Sequence, residues 1–167
     1  SGNPTHCPER TTLGIGKRDG ALADYCLLPA SNLHHVPDEL SDEQAVFVEP
    51  LAAACEVLEQ THLRPTQRVV VLGDGKLGLL VAQVLRLTGC DLLAVGRHSP
   101  NLGILERLGI RTRLGCEGLQ QDADVVVDCT GHPDGFTAAR ALLKARGTLV
   151  LKSTFHGENN VNLTSIV

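Results

Sequence analysis

The sequence predicts an α/β domain built on a doubly wound parallel sheet, and three observations support that fold class. First, a strand-like apolar run enters a glycine-rich turn at residues 68–78, RVVVLGDGKLG. Second, strand-like and helix-like segments alternate from there to residue 152. Third, aromatic residues make up only 2% of the chain. The core must therefore rest on Leu, Val, Ile and Ala, which suit parallel strands and the helices that cover them.

The expected elements follow one another in the order that this fold requires. The predicted strands are 68–72, 91–95, 111–114, 124–129 and 147–152. The predicted helices between them are 77–88, 101–108 and 133–144. Ser99 is expected to cap the second of these helices, with Pro100 in its first turn and Gly109 at its end. The full two-halved fold has one strand more, so either the sheet lacks its last strand or the C-terminal VNLTSIV supplies it.

The first 67 residues differ in composition from the rest. A loop-like start, rich in Gly, Pro, Thr and charges, leads to ADYCLLPASNLHHVP, which predicts short strands and turns. A helical region begins near Ser41 with a capping pattern from Ser41 and Gln44, and Pro50 is expected to interrupt it. Glu49, the residue before that proline, is then predicted to leave helical geometry and to point its carboxylate out of the broken helix.

Charge and composition exclude several classes of partner. A net charge of −4 and the lack of a basic block argue against nucleic acid and against an anionic membrane surface. No apolar run reaches the roughly 20 residues that span a bilayer, and no leader pattern begins the chain, so a cytoplasmic protein is expected. The six cysteines lie far apart without a C-x-x-C pair. Neither a disulfide framework nor a self-contained zinc site is therefore indicated.

Gly73, Gly75 and Gly78 have the spacing of a strand–turn–helix that presents backbone N–H groups to the pyrophosphate of a dinucleotide. Gly73 would allow the tight turn, Gly75 the close approach of the phosphates, and Gly78 the packing of helix on strand. The apolar segments on both sides favour a nicotinamide dinucleotide site. A purely structural glycine turn and the similar turn of S-adenosylmethionine-binding folds are the alternatives.

The residues between these glycines, Asp74, Lys76 and Leu77, are assigned to the same cofactor loop. A carboxylate beside phosphates is unexpected because like charges repel. Asp74 is therefore predicted to point outward, with Lys76 offsetting its charge.

The end of the second strand bears on which dinucleotide is expected. An acidic residue about 20 positions after the glycine loop would bind the ribose 2′-OH of NAD and repel the 2′-phosphate of NADP. This chain has Gly96 there, followed by Arg97, His98 and Ser99. Glycine leaves room for a phosphate, Arg97 can bind it in a charge-assisted fork, and the next two residues can donate hydrogen bonds. NADP is favoured over NAD; alternatively, Arg97 stacks on the adenine or lies in solvent.

From end to end, the chain resembles a segment of a zinc-dependent medium-chain alcohol dehydrogenase, closest to the polyol and threonine dehydrogenase-like branch. SGNPTHCPERTTLGIGKRDGALADY resembles the end of the structural zinc lobe and the G-x-x-A-E-Y strand after it, with Asp24 in place of the usual Glu. VEPLAAAC at 48–55 resembles the segment that carries a carboxylate ligand to the catalytic zinc. VVVLGDGKLG matches the cofactor loop, and DVVVDCTG at 124–131 resembles the strand beneath the nicotinamide side of the cofactor.

The resemblance implies a domain organisation. Residues 1–45 would be the remnant of a β-rich, GroES-like catalytic domain that includes the end of the structural zinc lobe. Residues 46–167 would be a Rossmann domain for NAD(P), incomplete at its C-terminus. Within it, Cys129, Thr130 and Gly131 would lie at the ribose next to the nicotinamide. A homo-oligomer through the edge of the sheet is also expected.

Two residues match zinc ligands of the family. Cys7 corresponds to the fourth cysteine of the structural site, and Glu49 to a carboxylate ligand of the catalytic site. Zinc needs four ligands in a structural site and three with an open position in a catalytic one. Neither residue can hold the metal alone, so zinc is expected only in the intact enzyme.

The implied reaction is reversible hydride transfer between the nicotinamide and an alcohol or carbonyl substrate, with zinc polarising the oxygen. These 167 residues alone are expected to be inactive, and no catalytic residue is assigned on them. The alternative function is a stand-alone, non-catalytic NADP-binding module. Cys7 and the VEP at 48–50 argue against a zinc-free quinone reductase-like relative. A methyltransferase would usually have an acid at the end of the second strand.

Overall fold

The computed structural model describes residues 7–152 and residue 154, and the chain divides into two compact units, residues 1–41 and 42–167. Within residues 7–41 there is an isolated antiparallel bridge between Thr12 and Gly16 and a short 3₁₀ helix, Ala30–Asn32. The short strands predicted here are wrong, because the described residues of this unit form no paired strand and none is buried. A strand without a partner leaves its N–H and C=O groups unpaired.

The second unit alternates helices and strands. Its helices are α1 (Asp42–Ala45), α2 (Val48–Gln60), α3 (Lys76–Arg86), α4 (Ser99–Arg107) and α5 (Pro133–Leu142). Its strands are β1 (Arg68–Leu72), β2 (Asp91–Gly96), β3 (Arg111–Leu114), β4 (Ala123–Asp128) and β5 (Leu143–Leu151). Of the helices that the structure describes, none has the length and apolar character needed to cross a membrane.

All five strands are parallel and lie in the order β3-β2-β1-β4-β5, which confirms the predicted doubly wound sheet. In the register, Leu72 of β1 pairs with Val95 of β2 on one side and with Asp128 of β4 on the other. The carboxyl ends of these strands therefore meet at one edge of the sheet. The strand order reverses between β1 and β4, and open α/β sheets bind their ligands at such a point. The VNLTSIV segment lies outside the described residues.

Side chains of β1 alternate between two apolar layers, as the pleat of a strand requires. Val69 and Val71 pack with α2 and α3 in one layer. Val70 and Leu72 pack with α5 in the other layer. All four side chains are buried. The central strand is thus covered on both faces, and its carboxyl end is held rigidly in the sheet.

Several element boundaries differ from those predicted. α4 begins at Ser99 and its N-cap is His98, so Ser99 is not the cap. β5 begins at Leu143 rather than residue 147, because a register shift in β4 lets Leu143 pair with Ala123 before the regular ladder resumes at Thr148. α5 ends correspondingly earlier, at Leu142.

Glu49 and Pro50 lie inside the first turn of α2, so the predicted break at the proline is wrong. The interruption falls before the proline, at 46–47, between α1 and α2. A proline is tolerated in the first turn because the N–H that it lacks would have no partner in the helix. Glu49 therefore keeps helical geometry, and its side chain is exposed.

Candidate functional site

A cleft of about 400 Å³ lies at the carboxyl ends of β1, β2 and β4. This volume is within the range of small-molecule binding sites, and the location is the usual one for an open α/β sheet. The cleft is lined by Leu72, Gly73, Asp74, Gly75, Val95, Gly96, Arg97, His98, Gly115, Cys116, Glu117, Cys129, Thr130, His132, Asp134, Gly135 and Ala138.

Gly73 and Gly78 sit where a larger residue would not fit. Gly73 has φ +114°, and a Cβ on it would lie 2.7 Å from the carbonyl oxygen of Cys129. A Cβ on Gly78 would overlap the carbonyl group of Gly73. The first glycine makes the turn between β1 and α3, and the second lets α3 pack closely on that turn.

Gly75 has a different environment. It is the N-cap of α3 and provides no side-chain hydrogen bond, and a Cβ on it would meet nothing within 4 Å. The first N–H groups of a helix have no partner within the helix, and the helix dipole makes this end positive. The start of α3, at the edge of the cleft, is therefore suited to an anion such as a phosphate. Lys76, Leu77 and Gly78 follow in α3 but do not line the cleft.

Asp74 does not point outward, so that prediction is wrong. The residue is only 5% exposed, and its carboxylate reaches the turn after β2. Its Oδ2 accepts hydrogen bonds from the main-chain N–H groups of Arg97, at 3.0 Å, and His98, at 2.6 Å. Its Oδ1 lies 3.0 Å from Nδ1 of the His98 ring. The partners of the carboxylate are thus the two residues after β2, and no contact with Lys76 is needed to explain its burial.

These contacts also affect the ionisation of Asp74. Burial on its own would raise the pKa of the carboxyl group, because it disfavours the charged form. The hydrogen bonds from the His98 ring and main-chain N–H outweigh burial and lower the pKa below its usual value. Asp74 is therefore a carboxylate at neutral pH.

Gly96 is packed against this carboxylate. A Cβ on Gly96 would overlap the side chain of Asp74. The sequence predicts that Gly96 leaves room for a phosphate. In the structure, the space beside the Gly96 main chain is occupied by the Asp74 side chain.

Arg97 and His98 line the cleft, and both side chains are exposed. Ser99 is the first residue of α4 and does not line the cleft. Asn101 strengthens the connection on this side, because its Nδ2 donates to the carbonyl oxygen of Asp74 at 2.9 Å. The glycine loop is therefore joined to the turn after β2 by the side chain of Asp74 and to α4 by its main-chain carbonyl group.

The end of β4 forms the opposite wall. Asp128 is buried, and its Oδ1 accepts hydrogen bonds from the main-chain N–H of Thr130, at 2.9 Å, and from its hydroxyl, at 2.8 Å. Cys129 and Thr130 line the cleft, whereas Gly131 does not. Burial, with a smaller contribution from the charge of Asp128, raises the pKa of the Cys129 thiol to about 12. Cys129 is therefore a neutral wall residue rather than a nucleophile.

The sequence interpretation missed two parts of the cleft. One is the start of α5, where His132 is the N-cap and its Nδ1 accepts a hydrogen bond from the N–H of Asp134 at 3.2 Å. The other is the loop after β3, which contributes Cys116 and Glu117. The histidine and proline shortly after a predicted strand are the sequence signal for the first part. Burial, followed in size by the charge of Glu117, raises the pKa of Cys116.

Neither predicted metal ligand belongs to a metal site in the part of the chain that the structure describes. Cys7 is partly exposed and Glu49 exposed. Among residues 7–152 and 154, no group of three or more His, Cys, Asp or Glu side chains could hold a metal ion. These residues do not fit a zinc ion, so no chemical step is assigned to one here.

The chain is similar to known polyol dehydrogenases. It is 28% identical over 160 residues to the sorbitol dehydrogenase of Halalkalibacterium halodurans, covering 88% of this chain and 46% of that protein. It is 31% identical over 123 residues to the D-arabitol-phosphate dehydrogenase of Enterococcus avium, covering 73% and 32%. The chain spans less than half the length of both relatives. No protein-family model matches it.

Solved structures share the fold. A zinc-binding dehydrogenase from Sinorhizobium meliloti 1021 bound to NADP superimposes with a TM-score of 0.77 at 25% identity, covering 89% of this chain and 48% of that chain. A short chain alcohol dehydrogenase from Escherichia coli CFT073, complexed with NADH, gives a TM-score of 0.78 at 22% identity with the same coverage. The second likeness is at the level of the fold alone.

Proposed function

We propose that this chain is part of a zinc-dependent medium-chain alcohol dehydrogenase, near the polyol dehydrogenases to which it is similar, and that its second unit is the nucleotide-binding part of that enzyme. A bound nicotinamide dinucleotide would supply reversible hydride transfer to or from a carbonyl or alcohol carbon. The residues described here would bind and orient that cofactor. No catalytic acid or base is assigned to them.

The observation that carries this proposal is the open start of α3. Gly73 makes the turn, Gly75 leaves the helix without a side-chain cap, and both line the cleft. An N-terminus of this kind binds a pyrophosphate through its N–H groups and its dipole. The cleft continues from there to Arg97 on one side and to Cys129 and Thr130 on the other. We assign the adenosine ribose to the Arg97 side and the nicotinamide ribose to the Thr130 side.

The proposed cofactor is NADP rather than NAD. Gly96 provides no carboxylate for a ribose 2′-OH, and both oxygens of Asp74 already accept hydrogen bonds from the protein. The Arg97 guanidinium, by contrast, lies exposed at the cleft and can pair with a 2′-phosphate. One solved neighbour holds NADP and another holds NADH, so the choice of NADP rests on Gly96 and Arg97.

Titration of the 167-residue chain with NADPH and NADH tests both dinucleotide binding and the preference for NADP. Saturable binding of a dinucleotide is expected, with NADPH bound more tightly. Arg97→Ala should reduce the preference for NADPH by roughly ten- to hundredfold, which is the effect of losing one charged hydrogen-bonded pair. Arg107→Ala, which removes an exposed guanidinium outside the cleft, should leave the preference unchanged. A folded chain that binds neither dinucleotide would contradict the proposed function, and equal affinities would contradict the choice of NADP.

The proposed substrate is a polyol or its carbonyl product, because the relatives are sorbitol and arabitol-phosphate dehydrogenases. Cys7 and Glu49 would each supply at most one zinc ligand, so a zinc site would need ligands beyond the described residues. β5 lies at the edge of the described sheet, which supports a homo-oligomer formed through that edge.

A further inference from the structure

Asp74 and Asp128 are the two buried charged residues among those described. Asp128 is the last residue of β4, and its carboxylate accepts a hydrogen bond from Thr130, two residues along the chain. The Asp74 side chain instead extends away from the glycine loop and accepts hydrogen bonds from Arg97 and His98, which are 23 and 24 positions away in the sequence. The loop that would hold the pyrophosphate is thereby tied to the turn that would hold the adenosine ribose.

The packing of Gly96 shows that the Asp74 carboxylate takes the place of a side chain at the end of β2. A side chain on residue 96 and the side chain of Asp74 exclude each other, because a Cβ on Gly96 would overlap Asp74. An acid at the end of the second strand would normally accept hydrogen bonds from the ribose hydroxyls. Asp74 brings an acid to the same end of β2 from another loop, but its oxygens already accept hydrogen bonds from Arg97 and His98.

We propose that Asp74 is a positioning residue for cofactor choice, which acts by fixing the main chain of Arg97 and His98 so that the Arg97 guanidinium meets the 2′-phosphate of NADP. This inference rests on the proposed function. An arginine on a fixed turn loses less conformational freedom when it binds a phosphate than one on a loose turn. Asp74 thus contributes to binding without touching the cofactor.

The opposite role would be electrostatic repulsion. A free carboxylate near the ribose would weaken NADPH binding, since a phosphate and a carboxylate repel each other. The structure favours positioning, because Asp74 is only 5% exposed and its carboxylate is held by two main-chain N–H groups and the His98 ring. The two roles predict changes of opposite sign when the carboxylate is removed.

Dissociation constants of NADPH and NADH are measured for the unsubstituted chain and for Asp74→Ala, Asp74→Asn and Asp91→Ala. Asp74→Ala should reduce the preference for NADPH by about tenfold, mainly through weaker NADPH binding. Asp74→Asn keeps one acceptor oxygen and should retain part of the preference. Asp91→Ala removes a carboxylate from the opposite end of β2 and should leave the preference unchanged. In a chain that carries Arg97→Ala, adding Asp74→Ala should change the ratio no further, because Asp74 acts through Arg97.

Hydrogen exchange measured without cofactor gives an independent readout. The amides of Arg97 and His98 should be protected in the unsubstituted chain and should exchange faster in Asp74→Ala. Tighter NADPH binding by Asp74→Ala would overturn positioning in favour of repulsion. Positioning would also be overturned if Asp74→Ala left the preference for NADPH unchanged, or if it lowered that preference further in the Arg97→Ala chain. Unchanged protection of the two amides would overturn it as well. If the folded unsubstituted chain binds neither dinucleotide, the proposed function itself fails, and the role of Asp74 in cofactor choice fails with it.

Discussion

A Cβ atom on Gly73 would lie 2.7 Å from the carbonyl oxygen of Cys129, so the turn after β1 and the end of β4 touch through their main chains. The N–H of Cys129 donates to the carbonyl oxygen of Leu72 at 2.8 Å immediately beside this contact. The cleft is therefore bounded by main-chain atoms where these two segments meet.

Gly73→Ala should destabilise the chain strongly. The new methyl group would meet main-chain atoms that cannot move aside, and φ +114° is unfavourable for any residue with a Cβ. Strain and overpacking together should lower the free energy of unfolding by about 2–4 kcal/mol. Denaturant unfolding, followed by far-ultraviolet circular dichroism, measures this change.

Gly75→Ala is the matched control for Gly73→Ala. Gly75 has φ −73°, and a Cβ there would meet nothing within 4 Å. Because alanine is a poorer N-cap than glycine, Gly75→Ala should lower the free energy of unfolding by at most about 1 kcal/mol, and its methyl group would hinder the approach of a phosphate. Equal destabilisation by the two substitutions would show that the glycine turn is not built as described.

Gly96→Ala should also be destabilising, because its methyl group would overlap the Asp74 side chain. We expect a loss of about 1–3 kcal/mol, as for other overpacked sites. In a double-mutant cycle with Asp74→Gly, the two changes should be strongly non-additive, since the second makes room for the first. Additive effects would contradict direct contact. Gly103→Ala, in α4, where a Cβ would make only one ordinary contact at 3.8 Å, should instead stabilise the chain by up to about 1 kcal/mol.

The sequence predicted the sheet because the signal is local. β1 has the predicted bounds, since its residues after Arg68 are all apolar, as in a strand covered on both faces, and the glycine turn follows at once. The bounds of β3 also match. The proline in α2 misled the prediction because the rule for helix interiors was applied to a first turn, and the start of that helix is set by where the chain leaves α1.

The orientation of Asp74 could not be predicted in the same way. Its partners are 23 and 24 residues away, and they come close only after β1 and β2 have paired. From sequence alone, a carboxylate beside a phosphate loop is expected to turn toward solvent. The glycine at position 96 signals space beside the main chain, but the sequence does not distinguish space for a ligand from space for another side chain.

Cys129 should react slowly with thiol reagents although it lines the cleft. Burial and the neighbouring Asp128 raise its pKa to about 12, so little thiolate forms at pH 8. Native-state alkylation, analysed by peptide mass spectrometry, should label Cys129 at least about a hundredfold more slowly than the exposed Cys55. In denaturant both should react at similar rates. Rapid labelling of Cys129 in the folded chain would contradict its raised pKa.

The ion pair at the amino end of β4 should make stability depend on acid. Hydrogen bonds from the Lys144 side chain and from the main-chain N–H of Arg68, the latter at 2.8 Å, lower the pKa of Asp124 below its ordinary value of 3.8. A carboxylate with a lowered pKa stabilises the folded state above the ordinary value, and this stabilisation is lost as the pH falls through the lower folded-state pKa.

Asp124→Asn should therefore lower the free energy of unfolding by about 1–2 kcal/mol at pH 7, and the difference from the unsubstituted chain should shrink steadily below about pH 4. Glu59→Gln, at an exposed carboxylate on α2, should change stability by less than about 0.5 kcal/mol at pH 7. Urea unfolding at a series of pH values measures both variants. A difference that stays constant from pH 7 to pH 3 would mean that Asp124 contributes through shape rather than through its charge.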